Sequence, residues 1–218
     1  MRARRIGTAR MNCRLAIFDF DGTLADSFAW FLDAYDEAAA ALGLMPIPRD
    51  EVPALRHLPP RALLRRFGVP AWRIPQVAAR IRALQSRDIA RIGLFPGIPE
   101  MIAGIAARGV TLAIVTSNSE ENVRAVLGEA LSARFAHLAC GVAVLGKGVR
   151  LRRVLRKAGV APAEAIAIGD ELRDLEAAQR EGIPFGAVAW GYADPEALRA
   201  AGPARMFSTP GDVLAALT

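Results

Sequence analysis

The sequence predicts an α/β fold: a Rossmann-like parallel sheet with helices on both faces, plus a small all-α insertion after the first strand. Three observations predict it. Short apolar runs such as Leu15-Ala16-Ile17-Phe18, Leu112-Ala113-Ile114-Val115 and Ala165-Ile166-Ala167-Ile168 carry no polar group, as strands buried on both faces should. From about residue 98 onward such runs alternate with stretches of helical period, the signature of parallel strands joined by crossover helices. Between the first run and the rest, residues 49–93 carry only helical patterns, cut by Pro53, Pro59-Pro60, Pro70 and Pro75.

A strand at about 14–19 opens the fold. A helix is expected over 27–42, where Phe28, Phe31, Leu32 and Tyr35 recur at helical spacing, and Gly43 to Pro48 breaks it. The insertion is expected to hold its own small core of Leu63, Leu64, Phe67, Trp72, Ile81 and Leu84. Phe95-Pro96-Gly97 marks the return. A helix at 98–108 then leads to a strand at 111–115, a helix from about 120 and a short strand at 137–140. A helix at 148–158, a strand at 165–168 and a helix ending at Glu181 follow. A strand at 185–189, a helix at 194–200, an edge strand at 206–207 and a helix at 211–217 complete the chain. The reading divides it into a core, 1–26 and 94–218, and a helical insertion, 27–93. Residues 1–10 are expected to be a disordered tail.

The 218 residues are 53% apolar, enough for a sizeable core. No apolar run reaches the roughly 18–20 residues that span a bilayer, and no apolar signal core follows the Arg-rich start. The expectation is a soluble, cytoplasmic protein that does not act at a membrane. The net charge of +6 comes from arginines at helical spacing, read as solvated faces; with no basic-aromatic interleaving, nucleic acid is not an expected partner. Cys13 and Cys140 lack metal-ligand spacing and are read as reduced thiols, and two histidines are too few for a zinc site.

Asp19-Phe20-Asp21-Gly22-Thr23-Leu24 is the most informative stretch. It places two carboxylates at the C-terminal edge of the first strand, the edge where ligands bind in open α/β sheets. Paired carboxylates repel unless a cation or a proton joins them. Thr116, Ser117 and Asn118 end a second strand; Gly169 and Asp170 end a third, with Asp174 one helical turn on; Lys147 precedes a helix between them. Singly, such residues are ordinary helix caps. Together they fit phosphoryl transfer through an aspartate.

Asp19, ionised at neutral pH, needs no base to attack phosphorus. Asp21 would protonate the leaving alkoxide and then take a proton from the hydrolytic water. An anionic nucleophile facing an anionic phosphate requires a cation, and oxygen ligands favour Mg²⁺, held by Asp19 and Asp170 through carboxylates and by Asp21 through its carbonyl. Thr116, Ser117, Asn118 and Lys147 would bind the phosphate, with Asp174 orienting Lys147 or a metal-bound water.

At these residues the chain resembles the haloacid dehalogenase-like hydrolase superfamily. Asp19 to Thr23 matches its first motif, Leu112 to Thr116 its second, Lys147 its third and Gly169 to Asp174 its fourth, in order across about residues 14–190. The resemblance implies a Rossmann-like core, a C1-type helical cap at the insertion, and a phosphoglycolate phosphatase-like subgroup acting on a small phosphorylated metabolite. Asp21 argues for phosphate over halide, since dehalogenases lack the second aspartate. Two positions depart from the subgroup: Gly148, not proline, follows Lys147, and Glu171-Leu172-Arg173 fills the fourth motif. In the cap, Arg56 and His57 are candidates for a substrate carboxylate or second phosphate, against the plainer reading of a solvated helix end. Trp190 and Tyr192, after the strand ending at Ala189, are candidates for the pocket border, against the plainer reading of core or surface packing. The alternatives are a catalytically idle relative that binds phosphate ligands or a partner, and a phosphomutase.

Overall fold

The computed structural model describes residues 12–55, 66–141 and 146–217. The strands are β1 (Leu15–Phe18), β2 (Ala25–Asp26), β3 (Gly93–Leu94), β4 (Thr111–Val115), β5 (Phe135–Ala139), β6 (Ala165–Gly169), β7 (Phe185–Val188) and β8 (Arg205–Phe207). Among the described residues, six of them form one sheet in the order β5-β4-β1-β6-β7-β8, every neighbouring pair parallel. The chain builds outward from β1 through β4 to β5, then returns to its other side for β6 to β8. The order therefore reverses around β1, and the crevice beyond the strand ends opens there. The separate β2–β3 pair is antiparallel and joins the two crossings between core and insertion.

The helices are α1 (Phe28–Leu42), α2 (Val52–Leu55), α3 (Ile74–Arg87), α4 (Ile98–Ala107), α5 (Glu120–Ser132), α6 (Lys147–Ala158), α7 (Leu172–Arg180), α8 (Pro195–Ala200) and α9 (Pro210–Ala216). They cover the sheet on two sides because alternate strand residues point to opposite faces. Leu15 and Ile17 pack with Leu151, Val154 and Leu175 of α6 and α7. Ala16 and Phe18 pack with Met101, Ile102 and Val123 of α4 and α5. Truncating a residue such as Ile17 to alanine is expected to cost about 2–5 kcal/mol. Among the described residues no helix is long and apolar enough to cross a membrane.

The elements fall within about two residues of their expected positions. The insertion has its own apolar cluster of Tyr35, Ala39, Leu55, Phe67, Val69 and Val77. Leu84 instead belongs to the cluster that joins the insertion to the sheet. Trp72 corrects the sequence reading: expected in the core, it is 73% exposed. It sits on a single 3₁₀ turn, 71–73, beside Val69 and Val77, which fill the inward positions. The Arg73 guanidinium covers its ring at 5.0 Å. The two-residue β3 was also not anticipated, being too short to show a period. Leu63, Leu64 and the expected tail at 1–10 lie outside the described residues.

Candidate active site

Asp19 follows β1 directly. Its N–H donates to the Ile168 carbonyl at 2.8 Å, extending the ladder one residue past the strand. The chain then closes a tight turn, with the Leu24 and Ala25 N–H groups both donating to the Phe20 carbonyl at 2.9 Å. This turn brings Asp21 back over the same sheet edge. Thr116 follows β4 and Asp170 follows β6, so three neighbouring strands deliver polar residues at their ends to one place.

Asp19 is 7% exposed, and its Oδ1 lies 2.9 Å from Lys147 Nζ. Lys147 also donates to Asp174 Oδ1 at 2.7 Å. Burial alone would raise the Asp19 pKa, but the charges of Lys147 and Arg173 outweigh it and hold the carboxyl below its ordinary value. Lys147 is likewise kept charged: burial pulls it down, while Asp174 and Asp19 raise it further.

Asp170 is fully buried. Thr23 Oγ1 donates to its Oδ1 at 2.8 Å and the Tyr192 N–H to its Oδ2 at 2.7 Å. Two glycines make room for it. A Cβ on Gly191 would come within 2.1 Å of Asp170 Cβ, and one on Gly22 within 2.3 Å of Asp170 Oδ2. Gly22 also has φ +78°, a conformation glycine adopts at little cost.

Carboxylate oxygens of Asp19, Asp170 and Asp174 lie within 4.8 Å of one another. Burial, then the neighbouring acids, pushes Asp170 well above the usual carboxylate range and raises Asp174 as well. Asp174 Oδ2 is buried and finds no hydrogen-bond partner among the described residues. Clustered hard oxygens, an orphaned carboxylate atom and carboxyls that resist ionising alone fit a divalent cation such as Mg²⁺.

Asp21 has different surroundings. Ser27 Oγ and Gln85 Nε2 donate to its Oδ1 at 3.0 and 2.9 Å, and Asn118 Nδ2 donates to its Oδ2 at 3.0 Å. None of these partners carries a charge. Burial, followed by the Asp19 charge, raises its pKa to about 6. The Ser27 proton points to Asp21, so the Tyr192 hydroxyl, 2.7 Å away, donates to Ser27 Oγ.

Thr116 is buried, and its Oγ1 accepts the Asn118 N–H at 3.1 Å. Ser117 is half-buried on the same turn. The side chain of Asn118 is engaged with Asp21, with the Ser119 N–H at 2.8 Å and with Asn122 Nδ2 at 3.0 Å. The structure thus brings Asp19, Asp21, Thr116, Ser117, Asn118, Lys147, Asp170 and Asp174 to one strand-end site. Arg56 and His57 lie outside the described residues. Sequence reasoning missed Ser27 and Gln85, and it weighed Tyr192 at the pocket border against plain packing. Tyr192 follows β7 at the same sheet edge, a signal that was available; Gln85 reads as one more polar residue on an amphipathic helix.

The description haloacid dehalogenase-like hydrolase belongs to the family model that matches residues 16–188. A phosphoglycolate phosphatase from Synechococcus elongatus is 34% identical over 203 residues, covering 93% of this chain and 96% of that one. CbbY from Rhodobacter sphaeroides, solved in complex with phosphate, superposes with a TM-score of 0.71 at 27% identity, covering 91% of this chain and 95% of that one. A haloacid dehalogenase-like hydrolase from Streptococcus pneumoniae shares the fold, with a TM-score of 0.79 at 22% identity over 95% of this chain and 99% of that one. On its motifs, its sheet and these likenesses, the chain belongs to the haloacid dehalogenase-like hydrolase family.

Proposed function

We propose that the protein is a Mg²⁺-dependent phosphatase that hydrolyses a small phosphomonoester through an aspartyl phosphate on Asp19. One observation carries the reading: two carboxylates two residues apart have opposite surroundings, Asp19 facing Lys147 and Asp21 facing neutral donors only. The first suits a nucleophile that stays ionised, the second an acid-base group.

Asp19 attacks phosphorus, forming the aspartyl phosphate as the P–O bond to the leaving alcohol breaks. Asp21 gives its proton to that oxygen. It then takes a proton from the water that attacks phosphorus, releasing phosphate and restoring Asp19. Thr116 Oγ1, the N–H groups of the turn after it and Lys147 hold the phosphoryl oxygens. Asp19 and Asp170, with the Asp21 carbonyl, would hold Mg²⁺, which neutralises charge between nucleophile and phosphate. Asp174 fixes the Lys147 ammonium. Residues 27–93 serve as the cap over this centre, and Arg56 and His57 hold the second anionic group of the substrate.

The 34% identical relative named phosphoglycolate phosphatase makes phosphoglycolate the first substrate to try. A CbbY variant solved with xylulose 1,5-bisphosphate, 28% identical to this chain, supports a small phosphorylated ligand more broadly. The test is phosphate release from p-nitrophenyl phosphate and a panel of phosphometabolites, with Mg²⁺ or EDTA. Release is expected to need Mg²⁺ and to vanish in Asp19→Asn. Release that survives in Asp19→Asn overturns the mechanism.

A further inference from the structure

Gln85 stands out among the polar residues of the cap. It sits near the C-terminal end of α3, is 5% exposed, and its amide reaches 2.9 Å from Asp21 Oδ1 across 64 positions of sequence. The next residue begins a second route to the same carboxylate. Ser86 Oγ lies 3.1 Å from Asn122 Oδ1; Asn122 Nδ2 donates to Asn118 Oδ1 at 3.0 Å; Asn118 Nδ2 donates to Asp21 Oδ2 at 3.0 Å. The amide orientations along this route are set by chemistry. The Ser119 backbone N–H can only donate, so the Asn118 atom it meets at 2.8 Å is the oxygen, and the nitrogen must face Asp21.

We infer that Gln85, backed by the Ser86-Asn122-Asn118 chain, is a cap-borne positioning residue that aims the Asp21 carboxyl at the leaving oxygen. The inference rests on the phosphatase reading above. Both oxygens of Asp21 are steered from the cap, one directly and one through two asparagines, while Ser27 holds Oδ1 from the foot of α1. A buried amide that packed for stability alone would not need to face the one carboxylate proposed to move protons. The donor set around the acid is thus complete only when α3 is seated, so the full alignment and the cap arrive together.

The leaving group separates positioning from packing. An alkoxide must be protonated as it departs, whereas p-nitrophenolate leaves without help. The ratio kcat/KM reports the steps up to the aspartyl phosphate. Gln85→Met keeps the length of the side chain and removes the donor. It is expected to lower kcat/KM about tenfold for the best alkyl phosphate of the panel and less than about threefold for p-nitrophenyl phosphate. Asp21→Asn should show the same selectivity with a larger loss. If Gln85→Met does not fold, Ser86→Ala interrupts the second route and should give the same selectivity at about twofold to threefold. Equal losses on both esters, or none on either, overturn the inference and leave the phosphatase standing. So does a wild type that hydrolyses the aryl ester alone, since it never calls on a proton donor. A wild type that releases phosphate from neither overturns the phosphatase reading itself.

Discussion

The two walls of the strand-end site are built on opposite principles. One wall, Asp19, Lys147, Asp170 and Asp174, is crowded with charge and comes entirely from the sheet edge and its helices. The other, around Asp21, is neutral and takes Ser27 and Gln85 from the insertion and its crossing point, with Asn118 and, behind Ser27, Tyr192 from the sheet edge. The difference shows how one short motif yields two chemistries. A cation beside one carboxylate keeps it ionised. Neutral donors, burial and the charge of Asp19 leave the other poised near pH 6.

The comparison breaks most severely at Asp21. Asp21→Asn leaves the charged wall intact and is expected to slow turnover of alkyl phosphates by about 10²–10⁴-fold, read as kcat. Lys147→Met attacks the charged wall and should cost about 10²–10³-fold in kcat. Gly191→Ala pushes a methyl against Asp170. It is expected to weaken Mg²⁺ binding by about 10–100-fold, measured by titration calorimetry.

A pH series sharpens the contrast. Asp21 must be protonated to act as acid, so kcat/KM for an alkyl phosphate should fall about tenfold per pH unit above about 6, while p-nitrophenyl phosphate does not follow it. Stability carries the same signature in smaller measure. The Asp21 pKa rises on folding from 3.8 to about 6, so stability present below about pH 4 is lost as pH climbs through about 6. Asp21→Asn escapes that loss. Allowing for the partial exposure of Asp21, metal-free wild type should lose about 1–2 kcal/mol more stability than Asp21→Asn between pH 4 and pH 7 by urea unfolding.

The charged wall was legible in the sequence because each member ends a strand or opens a helix. Asp19 and Asp170 sit where an apolar run stops and Lys147 opens α6, so position along the chain fixes where each stands at the sheet edge. The neutral wall was not. Gln85 lies within Ala83-Leu84-Gln85-Ser86-Arg87, which reads as an ordinary amphipathic helix end, and its partner is set by how α3 packs against the core. Asn118 is expected at the phosphate through the N–H groups of its turn, and the sequence does not reveal that its side-chain amide also meets Asp21. Trp72 failed for the complementary reason: a large apolar residue in a Pro-cut segment suggests a core, but a single 3₁₀ turn can hold it outside.

The small β2–β3 ribbon has a consequence for how such a protein can change over generations. Asp26 and Gly93 are paired partners, so the two ends of the insertion stand side by side on one short antiparallel ladder. Between them, Trp30, Ala34, Ala38 and Leu84 pack on the sheet's own core, while the cluster of Tyr35, Leu55, Phe67 and Val77 belongs to the insertion alone and can vary without moving either anchor. The parallel sheet closes without it, and the charged wall contains none of its residues. The ribbon makes the insertion a cassette: new recognition surfaces can be tried there while the bond-breaking apparatus is inherited unaltered. The constraint on any replacement is local: it must seat an amide donor where Gln85 now stands.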